Sequence, residues 1–296
     1  MNQSSISVLL VGAGGQLGQA LKATAPPQVQ IQAFNRQQLD ISDRATVIDL
    51  ITEAKPNWVI NAAAYTAVDQ AEKEPDLAFT INGDAPSYLA QAVDKVGGRL
   101  LHISTDFVFD GKASSPYQPD DMPNPLSVYG ESKLAGEQQI LHILGEQSLI
   151  VRTAWVYSVI NRNFVSTMLR LMKTRDEVRV VVDQVGTPTA TDTLAEALWQ
   201  CIAQDVQGIY HFTDAGVASW YDLAVAVQQY GCQLNLLDRV VPVQPISTLE
   251  FPTLAKRPSY SVLDKSRTWK QLAITPCHWQ AALYKMLQTL SLMDRP

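Results

Sequence analysis

Residues 6–25 read ISVLLVGAGGQLGQALKATA, and this stretch determines how the rest of the chain is interpreted. The apolar, largely β-branched run 6–11 predicts a strand, and 16–25 predicts a helix. Gly12, Gly15 and Gly18 lie between the two. Glycine at this spacing allows a tight turn, close approach of a pyrophosphate to the backbone, and close packing of helix on strand. The stretch therefore favours a dinucleotide-binding loop over a turn that is merely rich in glycine.

The second predicted strand, 29–34, ends at Asn35 and Arg36. A site that prefers NAD usually has an acidic residue here, which binds the ribose 2′-hydroxyl. This chain has none at that point. Arg36 either pairs with the 2′-phosphate of NADP or is an exposed surface arginine.

Further strands and helices alternate along the first two hundred residues. We predict strands at 58–60, 99–104, 149–152 and 208–212, and helices at 44–53, 76–96, 126–139 and 193–204. Such alternation predicts an α/β fold with a Rossmann-type, doubly wound parallel sheet. The rhythm changes after Thr153, so we expect a dinucleotide-binding domain from 1–153 and 190–217. A smaller, discontinuous substrate-binding domain would comprise 154–189 and 218–296.

Tyr129 and Lys133 are four residues apart in the predicted helix 126–139, so both side chains project from one helix face. We expect the lysine cation to lower the tyrosine pKa and make the phenol a better general acid. Thr105, at the end of a predicted strand, could share the substrate oxygen. The alternative is an ordinary Tyr–Lys pair on a helix surface.

Composition excludes several classes of function. The chain has 296 residues, 46% of them hydrophobic, and a net charge of −6 without a basic block. Nucleic acid and membrane are therefore unexpected partners. The polar, uncharged stretch 1–5 resembles neither a signal peptide nor a membrane span. Three cysteines without metal-type spacing (Cys201, Cys232 and Cys277) indicate reduced thiols in a cytoplasmic protein.

Taken together, these motifs resemble those of the extended short-chain dehydrogenase/reductases. The resemblance covers nearly the whole chain and rests on the glycine loop, the run 61–64 (NAAA), Ser104-Thr105-Asp106 and the Tyr129/Lys133 pair. The stretches 104–111, 152–157 and 184–189 narrow it to the dTDP-4-dehydrorhamnose reductase family.

This resemblance implies roles for individual residues. Thr105, Tyr129 and Lys133 would be catalytic. The cofactor, NADPH with NADH as a second possibility, would be bound by Gly12, Gly15, Gln16, Leu17, Asp40, Ile41, Ala62, Ala63, Ala64, Tyr129 and Lys133, and by Arg36 if it reads the 2′-phosphate. A dTDP-sugar would contact Thr105, Asp106, Trp155, Gln184, Arg257 and Pro258.

Some of these roles have structural alternatives. Trp155 either stacks on the sugar or fills the core. Arg257 either binds the diphosphate through its planar fork or lies on the surface. Asp106 either orients the loop or takes part in the reaction. The four histidines, at 102, 142, 211 and 278, show no ligand spacing, and we assign them no function.

The chain departs from the family in two places. The family usually has tyrosine where this chain has Phe107. Some members also form a magnesium-bridged homodimer through glutamates, which 18–21 and 190–193 lack. We therefore expect no metal, while a homodimer stays open.

Three functions compete at this stage. The first is NADPH-dependent reduction of the C4 ketone of dTDP-4-dehydro-6-deoxy-L-mannose to dTDP-L-rhamnose. The second is a related nucleotide-sugar epimerase or dehydratase, although family dehydratases place an acid/base glutamate where Phe107 stands. The third is a non-catalytic NADP-binding regulatory subunit, like the beta subunit of methionine adenosyltransferase.

Overall fold

The computed structural model describes residues 5–293. Residues 1–4, most of the polar stretch that we compared with a signal peptide, and residues 294–296, at the end of the second predicted domain, lie outside this range. The first half contains β1 (Ile6–Val11), α1 (Gln16–Ala23), β2 (Val29–Phe34), α2 (Arg44–Ala54), β3 (Trp58–Asn61), α3 (Val68–Ala71), α4 (Pro75–Phe79), α5 (Ala85–Val96), β4 (Arg99–Thr105), α6 (Val128–Leu144) and β5 (Ser148–Thr153).

The second half is built from shorter strands and from helices. It contains β6 (Val156–Tyr157), α7 (Phe164–Thr174), β7 (Val178–Val181), β8 (Val185–Gly186), β9 (Thr189–Ala190), α8 (Thr191–Ala203), β10 (Gly208–His211), β11 (Ala218–Ser219), α9 (Trp220–Gln233), β12 (Val243–Ile246), α10 (Ser266–Leu272) and α11 (Trp279–Met293). Within 5–293, no helix has the length and apolar character needed to cross a membrane.

Six parallel strands form the central sheet in the order β10-β5-β4-β3-β1-β2. The predicted α/β class with a doubly wound parallel sheet is confirmed. The chain reverses its direction of strand addition between β1 and β3, and ligands of such sheets bind outside the carboxyl ends of the strands at this switch point. Gly12 follows β1 there, and Ala62 follows β3.

Apolar side chains alternate between the two faces of the sheet, and helices cover both. On one face, Leu10 and Ile60 pack with α1 and α8. On the other, Leu9 and Val59 pack with α2, α5 and α6. The inner strands β1 and β3 are buried on both faces and read as mostly apolar runs, whereas the edge strand β2 alternates with exposed glutamines. This rigid sheet positions the loops that follow its strands.

A second core lies among α7, α9 and α11, where Leu169, Leu223, Val227 and Leu283 are buried. Two short two-stranded pairings (β8 with β11, β7 with β12) join segments 156–190 and 218–246, and a third (β6 with β9) lies within the first segment. Segment 266–274, which we predicted as part of the second domain, does not pack in this second core. Its Leu272 and Ile274 pack into the core of the large sheet.

The helix that we predicted over 76–96 is interrupted. Residues Thr80–Asp84 form a π-helical segment between α4 and α5. Asn82 in this segment is buried, and its side-chain amide donates to the Tyr65 carbonyl and to the Ser132 hydroxyl at 3.0 and 3.1 Å. The π segment thereby fixes the start of α5 against α6, the helix that carries Tyr129 and Lys133.

Candidate active site

The glycine loop has the geometry that its sequence predicts. Gly12 has a φ of 81°, and a Cβ atom there would lie 2.5 Å from the Ala62 carbonyl carbon. A Cβ on Gly18 would collide with the Gly12 carbonyl oxygen. The first glycine thus allows β1 and β3 to meet at the switch point, and the last allows α1 to pack on the loop. Backbone N–H groups at the start of α1 remain available for an anion.

Arg36, Asp40 and Ile41 line a pocket of about 230 Å³ beside this loop, together with Gly12, Gly15 and Ala62–Ala64. Hydrogen bonds from Ser42 lower the pKa of Asp40, so the Asp40 carboxylate already has a partner two residues away in its own loop. Arg36 is exposed to solvent and lines this pocket, a position that is compatible both with contact to a 2′-phosphate and with a surface arginine.

A cleft of about 560 Å³ brings the three predicted catalytic residues together. Thr105 ends β4, while Tyr129 and Lys133 lie on the first turns of α6. The Ser127 hydroxyl caps α6 by accepting from the Gly130 N–H at 3.2 Å. The same cleft is lined by Gly15, Gln16, Leu17 and Ala62–Ala64. The glycine loop and the three predicted catalytic residues therefore line the same cleft.

The expected effect of Lys133 on Tyr129 is wrong. Burial raises the pKa of the Tyr129 phenol to about 12, and the negative charge of Asp106 adds to this rise. The Thr105 hydroxyl opposes it by hydrogen bonding, but burial outweighs that contribution. Tyr129 consequently keeps its proton at neutral pH and can act as a proton donor.

Lys133 is fully buried, and its ammonium is directed elsewhere. Its Nζ atom donates to the Ile103 carbonyl at 2.6 Å and lies 3.1 Å from Nε2 of His102. Burial lowers the pKa of Lys133 to about 8 against the opposing charge of Glu137. His102, to which we assigned no function, is therefore in direct contact with a predicted catalytic residue.

Several buried polar atoms at the floor of the cleft lack a hydrogen-bond partner within the described chain. They are Ser104 Oγ, Thr153 Oγ1 and Asp106 Oδ2. Burial raises the pKa of Asp106 to about 6, although Ser261 and Thr105 lower it by hydrogen bonding. Ser104, Asp106 and Thr153 all line the cleft, so its floor is polar.

Some of the residues that we predicted to contact the substrate line the cleft, and others do not. Trp155 lines the cleft and stacks on Trp220 with ring centroids 3.6 Å apart, so its position is compatible with both alternatives that we considered. Arg257 lines the cleft, paired with Asp69 at 2.8 Å. Pro258 packs against Gly111 instead.

Gln184 is not among the residues that line the cleft, within the part of the chain described. It is buried, and its amide donates to Thr248 Oγ1 at 3.1 Å. Gln16 lines the cleft, and its side chain also contacts the loop that precedes α7. Its Oε1 accepts from Ser158 Oγ and Asn163 Nδ2, both at 2.9 Å.

Sequence reasoning missed the loop 158–163. Asn161 and Arg162 from this loop line the cleft, and Asn161 Nδ2 donates to the Gly14 carbonyl at 3.3 Å. The signal in the sequence was a polar Asn-Arg-Asn run directly before a helix, which also supplies the Asn163 cap of α7. Trp220, which also lines the cleft and was also missed, had no signal in the sequence beyond being aromatic.

Between residues 5 and 293, no group of three or more His, Cys, Asp or Glu side chains is arranged to hold a metal ion. Asp192, which stands in the stretch where some family members have a glutamate, faces a separate groove with Gln19 and Glu196.

Comparisons with known proteins agree with this arrangement. Residues 6–292 match the family described as RmlD substrate binding domain. The dTDP-4-dehydrorhamnose reductase of Aggregatibacter actinomycetemcomitans is 42% identical over 93% of this chain and 96% of its own length.

Two crystal structures of proteins with that name have a TM-score of 0.90 to this chain, each over 96% of this chain and 99% of its own. The Clostridium acetobutylicum protein is 41% identical. The Bacillus anthracis protein, solved in complex with NADP, is 37% identical. With a family match over nearly its whole length and such relatives, the chain belongs to the dTDP-4-dehydrorhamnose reductase family.

Proposed function

We propose that this protein uses NADPH to reduce the C4 ketone of dTDP-4-dehydro-6-deoxy-L-mannose, giving dTDP-L-rhamnose. The observation that carries the proposal is the single cleft in which Thr105, Tyr129 and Lys133 meet the glycine loop. The relative from Bacillus anthracis was solved with NADP, and the relative from Aggregatibacter actinomycetemcomitans carries the name dTDP-4-dehydrorhamnose reductase.

The residues at the switch point fit the cofactor. Gly12 and Gly15 provide close backbone approach, Ala62–Ala64 provide a flat apolar wall, and Arg36 provides a cation near the adenosine end. When bound, NADPH supplies the hydride. Contact between Arg36 and the 2′-phosphate would let the protein distinguish NADPH from NADH.

Tyr129 would deliver the proton. Its raised pKa keeps the phenol protonated, so a proton is available where negative charge develops on the ketone oxygen. The Thr105 hydroxyl donates to Asp106 Oδ1 at 3.1 Å, and it is placed to turn toward the same oxygen. Donors already in place reduce the cost of forming that charge.

The alternatives are less well supported. Phe107 packs the edge of its ring against Tyr129 at 5.6 Å and has no group that transfers a proton, which disfavours a dehydratase. A regulatory subunit would not need the buried acid/base set that the cleft contains, although fold alone does not exclude it.

The division into a dinucleotide domain (1–153 and 190–217) and a sugar domain (154–189 and 218–296) is part of the proposal. The cleft is lined by Lys133 from the first and by Trp155, Arg162 and Arg257 from the second. A dTDP-sugar would enter from the side of Trp155 and Arg257.

The three free cysteines are compatible with a cytoplasmic location.

The test is an assay of the purified protein with NADPH and dTDP-4-dehydro-6-deoxy-L-mannose. Both should be consumed one for one, and NMR should identify dTDP-L-rhamnose. Stoichiometric NADPH binding without turnover of this ketone would favour the regulatory alternative. Release of water from a dTDP-hexose would favour the dehydratase.

We further propose that any homodimer forms without a bridging metal, because 18–21 and 190–193 contain no glutamate. Light scattering before and after EDTA treatment would give the same molecular mass. A dimer that dissociates on chelation would contradict this.

A further inference from the structure

Arg162 lines the active cleft together with Gly15 of the glycine loop. It is exposed, and within residues 5–293 its side chain forms neither a hydrogen bond nor an ion pair. On its other side it borders a small surface pocket of about 420 Å³ with Ser166 and Arg170 of α7. A guanidinium at the wall of a cleft, with no partner in the described chain, has its five N–H donors available for a ligand.

Both chain neighbours of Arg162 are fastened to the glycine loop or to the helix that follows it. Asn161 has a φ of 61°, a left-handed conformation in which asparagine is enriched, and its Nδ2 atom donates to the Gly14 carbonyl at 3.3 Å. Asn163 Nδ2 donates to Gln16 Oε1 at 2.9 Å. The backbone of Arg162 is therefore held beside the glycine loop, and only its side chain remains to be ordered by a ligand.

The electrostatic surroundings of Arg162 favour an anion. It directly precedes Asn163, the N-cap of α7, and neither α7 nor α1 has an acidic residue in its first turn. The positive end of a helix dipole favours anions and disfavours cations, so an arginine at this position is unfavourable by itself. Among the described residues that line the cleft, Asp106 is the one acid, and it follows β4. The loop therefore leaves the neutralisation of Arg162 to a ligand.

The proposed reaction brings two diphosphates into the cleft, and the cofactor's belongs to the side of Arg162. The glycine loop favours the pyrophosphate of a dinucleotide at the start of α1, where Gly15 is the N-cap. Arg257, the other arginine among the described cleft residues, is instead paired with Asp69 of α3 at 2.8 Å. We propose that Arg162 is a cofactor-binding residue that contacts the pyrophosphate of NADPH and thereby secures the loop 158–163 against the bound dinucleotide.

This role differs from the one considered for Arg36. NADPH and NADH share the pyrophosphate, so Arg162 would strengthen the binding of both cofactors without distinguishing between them. The inference rests on the proposed function, because it takes NADPH as the cofactor. Its test measures binding rather than turnover, so failure of the reductase assay and failure of this inference are separate results.

The test compares Arg162→Ala with Arg170→Ala by calorimetric titration with NADPH, NADH and dTDP. Arg170 is the matched control, because it is an exposed arginine that borders the same surface pocket and is not among the residues that line the cleft. Arg162→Ala should raise the Kd of NADPH and of NADH by about tenfold each, the lower end for a charge-assisted hydrogen bond, since an exposed charge is screened. The Kd of dTDP should not change, and Arg170→Ala should leave all three values unchanged.

The other outcomes overturn the proposal. Unchanged cofactor binding by Arg162→Ala would exclude the contact, and equal weakening by both variants would show a general effect of positive charge. A loss confined to NADPH would assign Arg162 to the 2′-phosphate, and a loss confined to dTDP would assign it to the substrate. A wild-type protein that binds neither NADPH nor NADH would contradict the proposed function itself.

Two further measurements separate a lost contact from a displaced loop. The difference in Kd between the wild type and Arg162→Ala should shrink at high salt, because the contact is between charges. The free energy of unfolding in urea should be the same for both proteins, since the exposed Arg162 side chain has no partner to lose in the described chain. A salt-independent difference, or a less stable variant, would show that the change disturbs the loop and would count against the proposal.

Discussion

At the scale of single residues, burial rather than neighbouring charge sets the chemistry of the cleft. Tyr129, Lys133 and Asp106 all have pKa values displaced toward their neutral forms. Lys133 and Asp106 are fully buried, Tyr129 is partly buried at the wall of the cleft, and desolvation is the largest cause in each case. The site therefore favours a Tyr129 phenol that keeps its proton until the reaction over a phenolate that is already formed.

Tyr129→Phe tests the proton donor. Removing the hydroxyl should lower kcat by roughly 10²–10⁴-fold, the usual contribution of a positioned general acid, and leave NADPH binding intact. Steady-state kinetics and fluorescence titration with NADPH would measure both. Tyr230→Phe, which removes a hydroxyl from a tyrosine packed on Tyr284 in the second core, is the matched control. Full turnover by Tyr129→Phe would place the donor elsewhere.

Arg36→Ala tests the choice of cofactor. If Arg36 pairs with the 2′-phosphate, its removal should weaken NADPH binding by about 10-fold or more and leave NADH binding nearly unchanged, since charge-assisted hydrogen bonds contribute about 1.5–3 kcal/mol. Arg44→Ala, on the next helix beside Tyr88, is the control. Equal weakening of both cofactors would show that Arg36 does not read the 2′-phosphate.

At the scale of elements, the prediction succeeded where local pattern determines structure. The bounds of β1 and β2 agree with the sequence, and Asp43 caps α2 by accepting from the Thr46 N–H. The π-helical segment at Thr80–Asp84 was missed, because it depends on the contact of Asn82 with Ser132, fifty residues away. The contacts of His102 were missed for the same reason, since residues distant in sequence supply them.

Gly18→Ala tests the packing of α1 on the glycine loop. The added methyl would meet the Gly12 carbonyl oxygen, so the free energy of unfolding should fall by about 1–3 kcal/mol, and NADPH binding should weaken as the loop is displaced. Gly14→Ala is the matched control, because its Cβ would lie 3.5 Å from Asn35 Cβ, an ordinary contact. Urea unfolding and NADPH titration would compare the two. Similar behaviour of both variants would mean that close packing at Gly18 is not required.

At the scale of the whole molecule, the loop 158–163 joins the two predicted domains. Its Ser158 and Asn163 side chains donate to Gln16 Oε1, on the first residue of α1. The sequence indicated a discontinuous second domain but not this link, because two distant polar stretches meet only in the folded chain. The loop thereby holds Asn161 and Arg162 at the edge of the cleft.

Gln16→Ala tests that link. The change removes an acceptor of the Asn163 amide and one of two acceptors open to the single Ser158 hydroxyl proton, the other being the Ile160 carbonyl at 2.7 Å. A hydrogen bond of this kind is worth about 0.5–1.5 kcal/mol net. We expect the free energy of unfolding to fall by about 1–3 kcal/mol and the KM for NADPH to rise, with a smaller effect on kcat because Thr105, Tyr129 and Lys133 are untouched. Gln19→Ala, one turn along α1 on the separate groove, should leave both quantities unchanged. If Gln16→Ala lowered kcat alone, the link would act on the chemical step, and the idea that it serves to place the loop over the cofactor would have to be abandoned.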